Sequence, residues 1–334
     1  MRDLRVAALA RFAIAISIFT TFGHALLGFE PSYAAVPTAL LTGYSLDLLL
    51  ETLDAWSDRR KPHYAGGGFK KLVIFLLPAH ITSLACAMLL YTSNRLVPLM
   101  FAVAVGVGSK YVFRVRTAKG KRHFLNPSNT GIAVTILAFA WITPTPPYQF
   151  TEALSGGWDW VVGSVIICTG SLLNGKLTKR MPLIAGWVLG FAAQACFRIF
   201  VLGLPSYSAL GVMTGVAFIL FTFYMVSDPG TTPMNPKPQF AFGASVALLY
   251  GVFIINHITF GIFYSLMIVC TVRGTYMYVM SLRMQPSPAK GDTKRPSVAP
   301  PVAAPTPLAP PLPIAEPQPV GVSASTGFST GGSV

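Results

Sequence analysis

Charge is what this chain has least of. Asp, Glu, Lys and Arg together make up 11% of its 334 residues, less than half of the roughly 25% typical of a water-soluble domain. A surface so poor in charge cannot be solvated all round, so an ordinary globular class is excluded and lipid is the solvent that fits. Acids are scarcer than bases, 11 against 25, and the formal charge is +14. In a soluble protein that surplus would point to nucleic acid. Here the bases sit in short clusters between apolar stretches and no basic domain stands apart, so the surplus reads as membrane topology and no nucleic-acid partner is expected. Cysteine is also scarce. Cys86, Cys168, Cys196 and Cys270 each stand alone in an apolar stretch without a CxxC, which suits small hydrophobic filler and leaves only an iron–sulfur site assembled across helices as a redox alternative. The chain has no Walker loop, GxGxxG, HExxH or GxSxG. Soluble-enzyme chemistry is not indicated, and no metal ligand set is expected.

What is present in quantity is apolar sequence: 53% of residues are hydrophobic and the mean hydropathy is +0.58. A span needs about 20 mostly apolar residues, because inside lipid each backbone N–H and C=O must be bonded within its own helix. Stretches of that kind run over 6–27, 34–53, 71–92, 96–113, 127–143, 158–175, 182–203, 208–226, 239–256 and 259–280. The fold class expected is therefore all-α, a polytopic membrane helical bundle of about ten transmembrane helices over residues 1–284. The fourth, fifth and sixth stretches are short enough for a half-helix.

Lys and Arg fix the expected orientation. Arg2 and Arg5, the groups 59–61, 70–71, 110–122 and 176–180, Lys237, and the C-terminal set Arg273, Arg283, Lys290, Lys294 and Arg295 all fall on one side, 22 bases in all. The alternate loops hold only Arg95, with Arg11 and Arg198 inside helices. Positive residues stay cytoplasmic, so both termini are expected inside a multi-pass protein of the cytoplasmic (inner) membrane. Ser32-Tyr33-Ala34 after the first apolar run loosely resembles a signal-peptide end, but the run is longer than a signal core and holds His24; retention is expected. From about residue 285 to 334 Pro, Ala, Ser and Gly take over. Such a segment buries too little to offset its ordering entropy, and a disordered Pro/Ala-rich cytoplasmic tail is expected, a linker or a docking strand of polyproline type.

Two segments carry the candidate site. Phe124–Gly131 contains Asn126, Pro127, Ser128 and Asn129, and Ser227–Pro233 contains Asp228, Pro229, Thr231 and Thr232. Both place small hydrogen-bonding side chains around a proline where a helix begins. Proline suits a first helical turn, so Asn126 and Asp228 are expected as N-caps. Beyond capping, both segments could turn back toward the membrane and present N–H groups to a polar or anionic ligand, with Asn126, Ser128, Asn129, Ser227, Asp228, Thr231 and Thr232 as its contacts. Their recurrence hints at two five-helix halves, although both fall on the same side of the membrane. Among intramembrane ionisable groups, Arg11 is expected to contact Asp47 or Glu51, His24 and His80 to bond neighbouring carbonyls, and Arg198 to snorkel.

The Phe124–Gly131 stretch and Phe223–Pro233, with Thr214–Phe218 before the latter, resemble the two signatures of the D subunit of the Rnf electron-transport complex. The B subunit of the sodium-pumping NADH:quinone reductase is built on the same plan. Leu76–Thr82, Arg122–Asn129 and Pro146–Glu152 resemble in particular the branch of membrane proteins called UnbU, encoded in enediyne antibiotic clusters. The resemblance covers roughly residues 70–275. It implies membrane electron transfer, flavin- or quinone-linked, or membrane association of a specialised-metabolite pathway, with other membrane redox subunits or pathway enzymes as partners beside the lipid bilayer. The Rnf subunit carries FMN on a threonine in a Ser-Gly-Ala-Thr segment of an outer loop. Here Thr151 lies in the corresponding loop without that setting, which argues against covalent FMN and leaves non-covalent FMN or riboflavin, or no flavin. A small-solute transporter and a non-catalytic scaffold are the rival readings.

Overall fold

The computed structural model describes residues 4–117 and 120–283. The tail expected over 285–334, and with it Arg2, Lys119, Lys290, Lys294 and Arg295 of the topology argument, lies outside the described residues. In chain order the elements are α1 (Leu4–Ala25), α2 (Ala35–Ser57), α3 (Gly68–Leu89), β1 (Leu90–Tyr91), α4 (Leu96–Val112), β2 (Arg114–Thr117), β3 (Gly120–His123), α5 (Pro127–Ala138), β4 (Thr143–Pro144) and α6 (Trp158–Leu172). There follow α7 (Met181–Phe200), α8 (Ser206–Leu210), α9 (Val216–Leu220), α10 (Pro236–Ile255) and α11 (Gly261–Arg283). Helix accounts for 72% of the structure and sheet for almost none, so the class is all-α. The strands form two small antiparallel pairs, β1 with β4 and the hairpin β2–β3.

Each of the ten apolar stretches folds as helix, but they are not ten equal spans. Among the described residues six helical segments, 6–25, 68–89, 158–177, 181–200, 236–255 and 261–283, are long and apolar enough to cross a membrane, and a seventh is reached if the bent pair α8–α9 counts as one. The exceptions have physical causes. α2 has the length but carries Asp47, Glu51 and Asp54 in its second half. α4 has 17 residues and α5 only 12, so α5 is about 18 Å long at 1.5 Å per residue, well short of a hydrocarbon core of about 30 Å. The eighth stretch bends by 56° at Gly215. Outward positions along the long helices are apolar, among them Ile14, Ile18 and Phe22 of α1, Trp160 and Leu172 of α6, and Leu189 and Phe200 of α7. A water-soluble monomer rarely exposes contiguous apolar patches beyond a few hundred Å². The bundle is that of a multi-pass membrane protein, with an apolar outer wall compatible with lipid.

Close helix contact is bought with glycine. On α4 and α5, a side chain at Gly131 would collide with the carbonyl of Ala102, and one at Gly106 would come within 2.7 Å of the carbonyl of Pro127. On α7 and α10, Gly186 lies against the Phe240 carbonyl and Gly243 against that of Leu183. Where lipid is as apolar as leucine, such close approach and dispersion do the work that water does for soluble cores. Trp187 is fully buried between these helices and donates through Nε1 to Thr222 Oγ1 at 2.9 Å.

The loops sort to two ends. Residues 58–63, the β2–β3 hairpin, Arg180 and the 228–233 segment are linked by Lys121–Asp58, Arg122–Gly230 and Arg180–Pro233 contacts. Loops grouped from Lys and Arg alone as lying on one side thus do meet. At the other end Thr145 binds the carbonyls of Met88 and Leu89, and Arg95 stacks on Trp141 with 4.8 Å from its guanidinium carbon to the ring centroid.

Candidate functional site

The first proline segment folds as its chemistry requires. Asn126 precedes α5 with extended backbone, its side chain accepts from Asn129 N at 3.1 Å, and Pro127 takes the first helical position. Asn126 Nδ2 then reaches across to donate to Met225 O at 2.9 Å, so the two segments are in direct contact. Asp228 is not an N-cap. α10 starts eight residues later, at Pro236 after Asn235, because Pro229, Gly230 and Pro233 keep the intervening chain from helix. The Asp228 carboxylate instead closes its own turn, accepting from Gly230 N at 3.0 Å and Thr231 Oγ1 at 2.8 Å, while Thr232 Oγ1 donates to Asp228 O at 2.6 Å.

The candidate residues thus come together, and most spend their hydrogen bonds on each other or on neighbouring backbone. Ser128 Oγ donates to Asn126 Oδ1, Ser227 Oγ to Phe223 O, and Asn129 Nδ2 to Phe263 O. Asn129 Oδ1 is the exception, a buried acceptor without a partner. The π-helical turn Phe221–Met225 leads directly into the second segment; such turns recur at functional positions because they displace side chains by one register step. Asn174 Nδ2 ties that turn down by donating to Phe223 O at 2.8 Å.

Three arginines that the sequence argument did not place in the candidate site hold the turn after Asp228. Arg122 donates to the carbonyls of Gly230 at 2.8 Å and Pro229 at 2.9 Å. Arg180 donates to those of Pro233 and Pro229, and Arg273 to that of Thr231 at 2.8 Å. Burial depresses the Arg180 pKa; Asp228 opposes that, and the positive charges of Arg122 and Arg273 add to it. A cluster scattered over three elements leaves no local spacing, so only contact reveals it.

Behind the first segment opens a cleft of about 1240 Å³ between α1, α6, the α9 region and the 143–150 loop, larger than the roughly 300–1,000 Å³ usual for small-molecule sites. Phe19, Phe150, Val162, Phe218, Phe221 and Phe263 are among the side chains of its wall. Its few polar side chains include Arg11, Ser128, Thr143, Thr145, Trp158, Tyr250 and the pair Thr169 Oγ1–Tyr224 OH, 2.9 Å apart. Thr151 lies just past the wall, its Oγ1 donating to Tyr148 O at 3.5 Å.

Several expected contacts are replaced by others. Arg11 contacts neither Asp47 nor Glu51 but lines the cleft. Asp47 is taken by Lys110 at 2.9 Å and Tyr111 OH at 2.8 Å, and Glu51 by Arg60 and His63, each at 2.6 Å, because α2 packs on α4 with its acidic stripe turned inward. His24 bonds the Thr20 carbonyl as expected. His80 instead bonds side chains, Ser17 Oγ of α1 at 2.7 Å and Tyr44 OH of α2 at 2.6 Å, because both neighbouring helices bring a hydroxyl to its ring. Arg198 does not snorkel: it is 5% exposed and turns toward Ala209 O of α8. Cys86 and Cys270 are buried filler, whereas Cys168 and Cys196 face outward. No protein-family model matches the chain, and no curated protein matches it.

Proposed function

We propose that this protein is a membrane redox subunit on the plan of the Rnf D subunit, and that its lateral cleft takes a membrane-dissolved ligand of quinone type in the service of a specialised-metabolite (enediyne-type) pathway. The observation that carries the reading is the cleft: a large, mostly apolar volume suited to an isoprenoid tail, with the hydroxyls of Ser128, Thr169 and Tyr224 in its wall, which would exchange their present bonds for a carbonyl-bearing head. A non-covalent flavin is the alternative occupant. Ser128 in the wall would meet its polar edge, and the flavin would supply one- and two-electron exchange. The mostly apolar wall offers little for a ribityl chain, so the quinone class fits better. In this reading α2, α4 and the half-length α5 complete a ten-segment plan of two five-helix halves, with the basic end and both termini in the cytoplasm.

Ligand analysis tests the reading. Protein purified in mild detergent should release a near-stoichiometric quinone or flavin on solvent extraction, read by absorbance and mass spectrometry. A Val162→Trp variant, which fills the cleft, should lose that ligand while keeping its melting temperature. Wild-type protein that carries neither class sinks the redox reading. The bent pair α8–α9 favours a second reading as a transporter, since broken helices around a central site serve alternating access. Flux of a pathway product into proteoliposomes, lowered by Asp228→Asn, would support it; flux unaffected by that change would remove Asp228 from any transport role.

A further inference from the structure

A line of hydrogen-bonding side chains crosses the bundle through α1, α2 and α3, and His80 is its centre. Ser17, Tyr44 and His80 lie near the middles of α1, α2 and α3. α2 has 23 residues, about 34 Å at 1.5 Å per residue, so the three sit near mid-depth in a hydrocarbon core of about 30 Å. His80 Nε2 is 2.7 Å from Ser17 Oγ, and Nδ1 is 2.6 Å from Tyr44 OH. Ser17 Oγ also donates to Ala13 O at 2.7 Å. Its hydrogen is thus spent, and it accepts from Nε2–H. A neutral imidazole has one donor and one acceptor, so Tyr44 donates to Nδ1. The hydrogen bonds all point one way, from α2 through the ring to α1.

On either side the line runs on to buried acceptors that the protein leaves open. One turn from Tyr44 along α2 is the buried Asp47; Lys110 and Tyr111 hold its Oδ1, and its Oδ2 has no partner. A further turn on, Glu51 meets Arg60 and His63, and His63 is exposed at the basic end. On α1, Thr20 follows Ser17 at helical spacing, and its buried Oγ1 has no partner. His24 comes next. Its Nδ1 donates to a carbonyl, Thr20 O, at 3.0 Å, so that nitrogen carries the hydrogen. The other, Nε2, is then an acceptor, buried and without a partner. Exposed Tyr33 bonds His24 O at 3.2 Å and marks the far end of the line. Side chains three and four apart on a helix are neighbours, so each turn is a step between adjacent groups.

Chains of Asp, Glu and His inside spanning helices mark proton relays, and imidazole suits a relay because it can accept at one nitrogen and release from the other. We propose that this line conducts protons across the bundle between His63 and His24, with His80 as the central relay. When Asp47 passes a proton to Tyr44, and Tyr44 passes its own to Nδ1, the ring becomes an imidazolium. Release of the Nε2 proton to Ser17, whose hydroxyl proton moves on to Thr20, restores a neutral ring, and turning of the ring resets it. One proton enters and one leaves; no bond to carbon changes and no electron moves. None of these residues lines the cleft, so the path stands or falls independently of a quinone or flavin there.

Proton flux through the purified full-length chain tests this. The protein is reconstituted into liposomes that hold a pH-sensitive dye, and a potassium gradient with valinomycin sets the potential in sodium-free buffer. Proton entry faster than in empty liposomes is expected. His80→Gln can still bond Ser17 and Tyr44 but cannot take up a proton at working pH, and should slow entry roughly tenfold or more. His257→Gln, the same exchange in the exposed loop before α11, should leave it unchanged. Should His80→Gln not fold, Tyr44→Phe, which removes a single oxygen, takes its place with the same expected loss. The proposal is overturned if the wild-type chain is no faster than empty liposomes, if the variant in the line matches wild type or His257→Gln, or if the flux requires added sodium.

Discussion

Two charged clusters sit at the basic end of the bundle, and they are balanced differently. Along the second half of α2, Asp47, Glu51, Asp54 and Asp58 form a stripe met by Lys110, Arg60, Arg114, Lys121 and His63 at 2.6–3.8 Å. Acids and bases there nearly cancel, and Arg60, held first by Glu51 and then by Asp54, is pushed above the usual arginine range. In the 228–233 turn three arginines face one acid, and the Arg180 pKa moves the opposite way. The first cluster is closed: each charge has its partner within the protein. In the second, Arg180 and Arg273 hold backbone carbonyls, which fix the turn without cancelling charge. The difference teaches that a cluster of bases cannot be read as structural or functional from its residues alone; the count of facing acids decides it.

The largest expected effect comes from opening the closed cluster. Asp47 is 1% exposed, so Asp47→Ala would strand Lys110 and the Tyr111 hydroxyl in a site with little water. Breaking a buried pair from one side costs about 3–5 kcal/mol, which equilibrium unfolding in mild detergent would register. The double change Asp47→Leu with Lys110→Met should recover most of the loss, because it removes both charges. A single variant that unfolds like wild type would mean the stripe is not the closed network described.

The unbalanced cluster should respond less, and with the reverse dependence on salt. Asp228→Asn keeps the shape of the turn but removes the acid whose charge favours Arg180, for an expected loss of about 2–3 kcal/mol. Added salt should restore part of it by screening the arginines from one another; wild type should gain less. Arg180→Met removes bonds to the Pro229 and Pro233 carbonyls and to Met234 Sδ but also relieves a buried, mutually repelled cation. Its net cost should be smaller, about 1–2 kcal/mol. If Arg180→Met proves the more damaging of the two, the turn is held by its bonds and its repulsion is minor.

Some of this was legible in the sequence and some could not be. Apolar runs and the Lys/Arg asymmetry gave the all-α membrane class and the grouping of the basic loops, because both depend on composition along a local window. Asn126 was legible as a cap because an N-cap and a first-turn proline are neighbours in sequence. Asp228 carried the same local signal and misled: the prolines at 229 and 233 delay the helix to 236, and the carboxylate closes a turn instead. Partners set by helix packing were not legible. Arg11 and Glu51 share a depth but not a facing side, and Arg122, Arg180 and Arg273 meet across more than 150 residues of chain. The cleft was invisible for the same reason, since its walls belong to helices whose separation no linear pattern encodes.

The smallest expected effect is also the sharpest check on calling the α2 cluster closed. Lys121 reaches Asp58 at 2.7 Å and Asp54 at 3.7 Å, but Lys121 and Asp58 side chains are each 39% exposed. An ion pair that open to water is worth about 0.2–1 kcal/mol before screening. Asp54 and Asp58 also keep Arg60, at 2.6 and 3.8 Å, so neither carboxylate is left alone when Lys121 goes. Lys121→Gln should therefore cost about 0.5 kcal/mol or less in unfolding, and that loss should vanish at high salt. A loss several times larger would mean that the stripe acts as one coupled unit out to its exposed rim. Charge balance there would then reach the β2–β3 hairpin, on which Arg122 also sits, and the two clusters would have to be treated as a single electrostatic system.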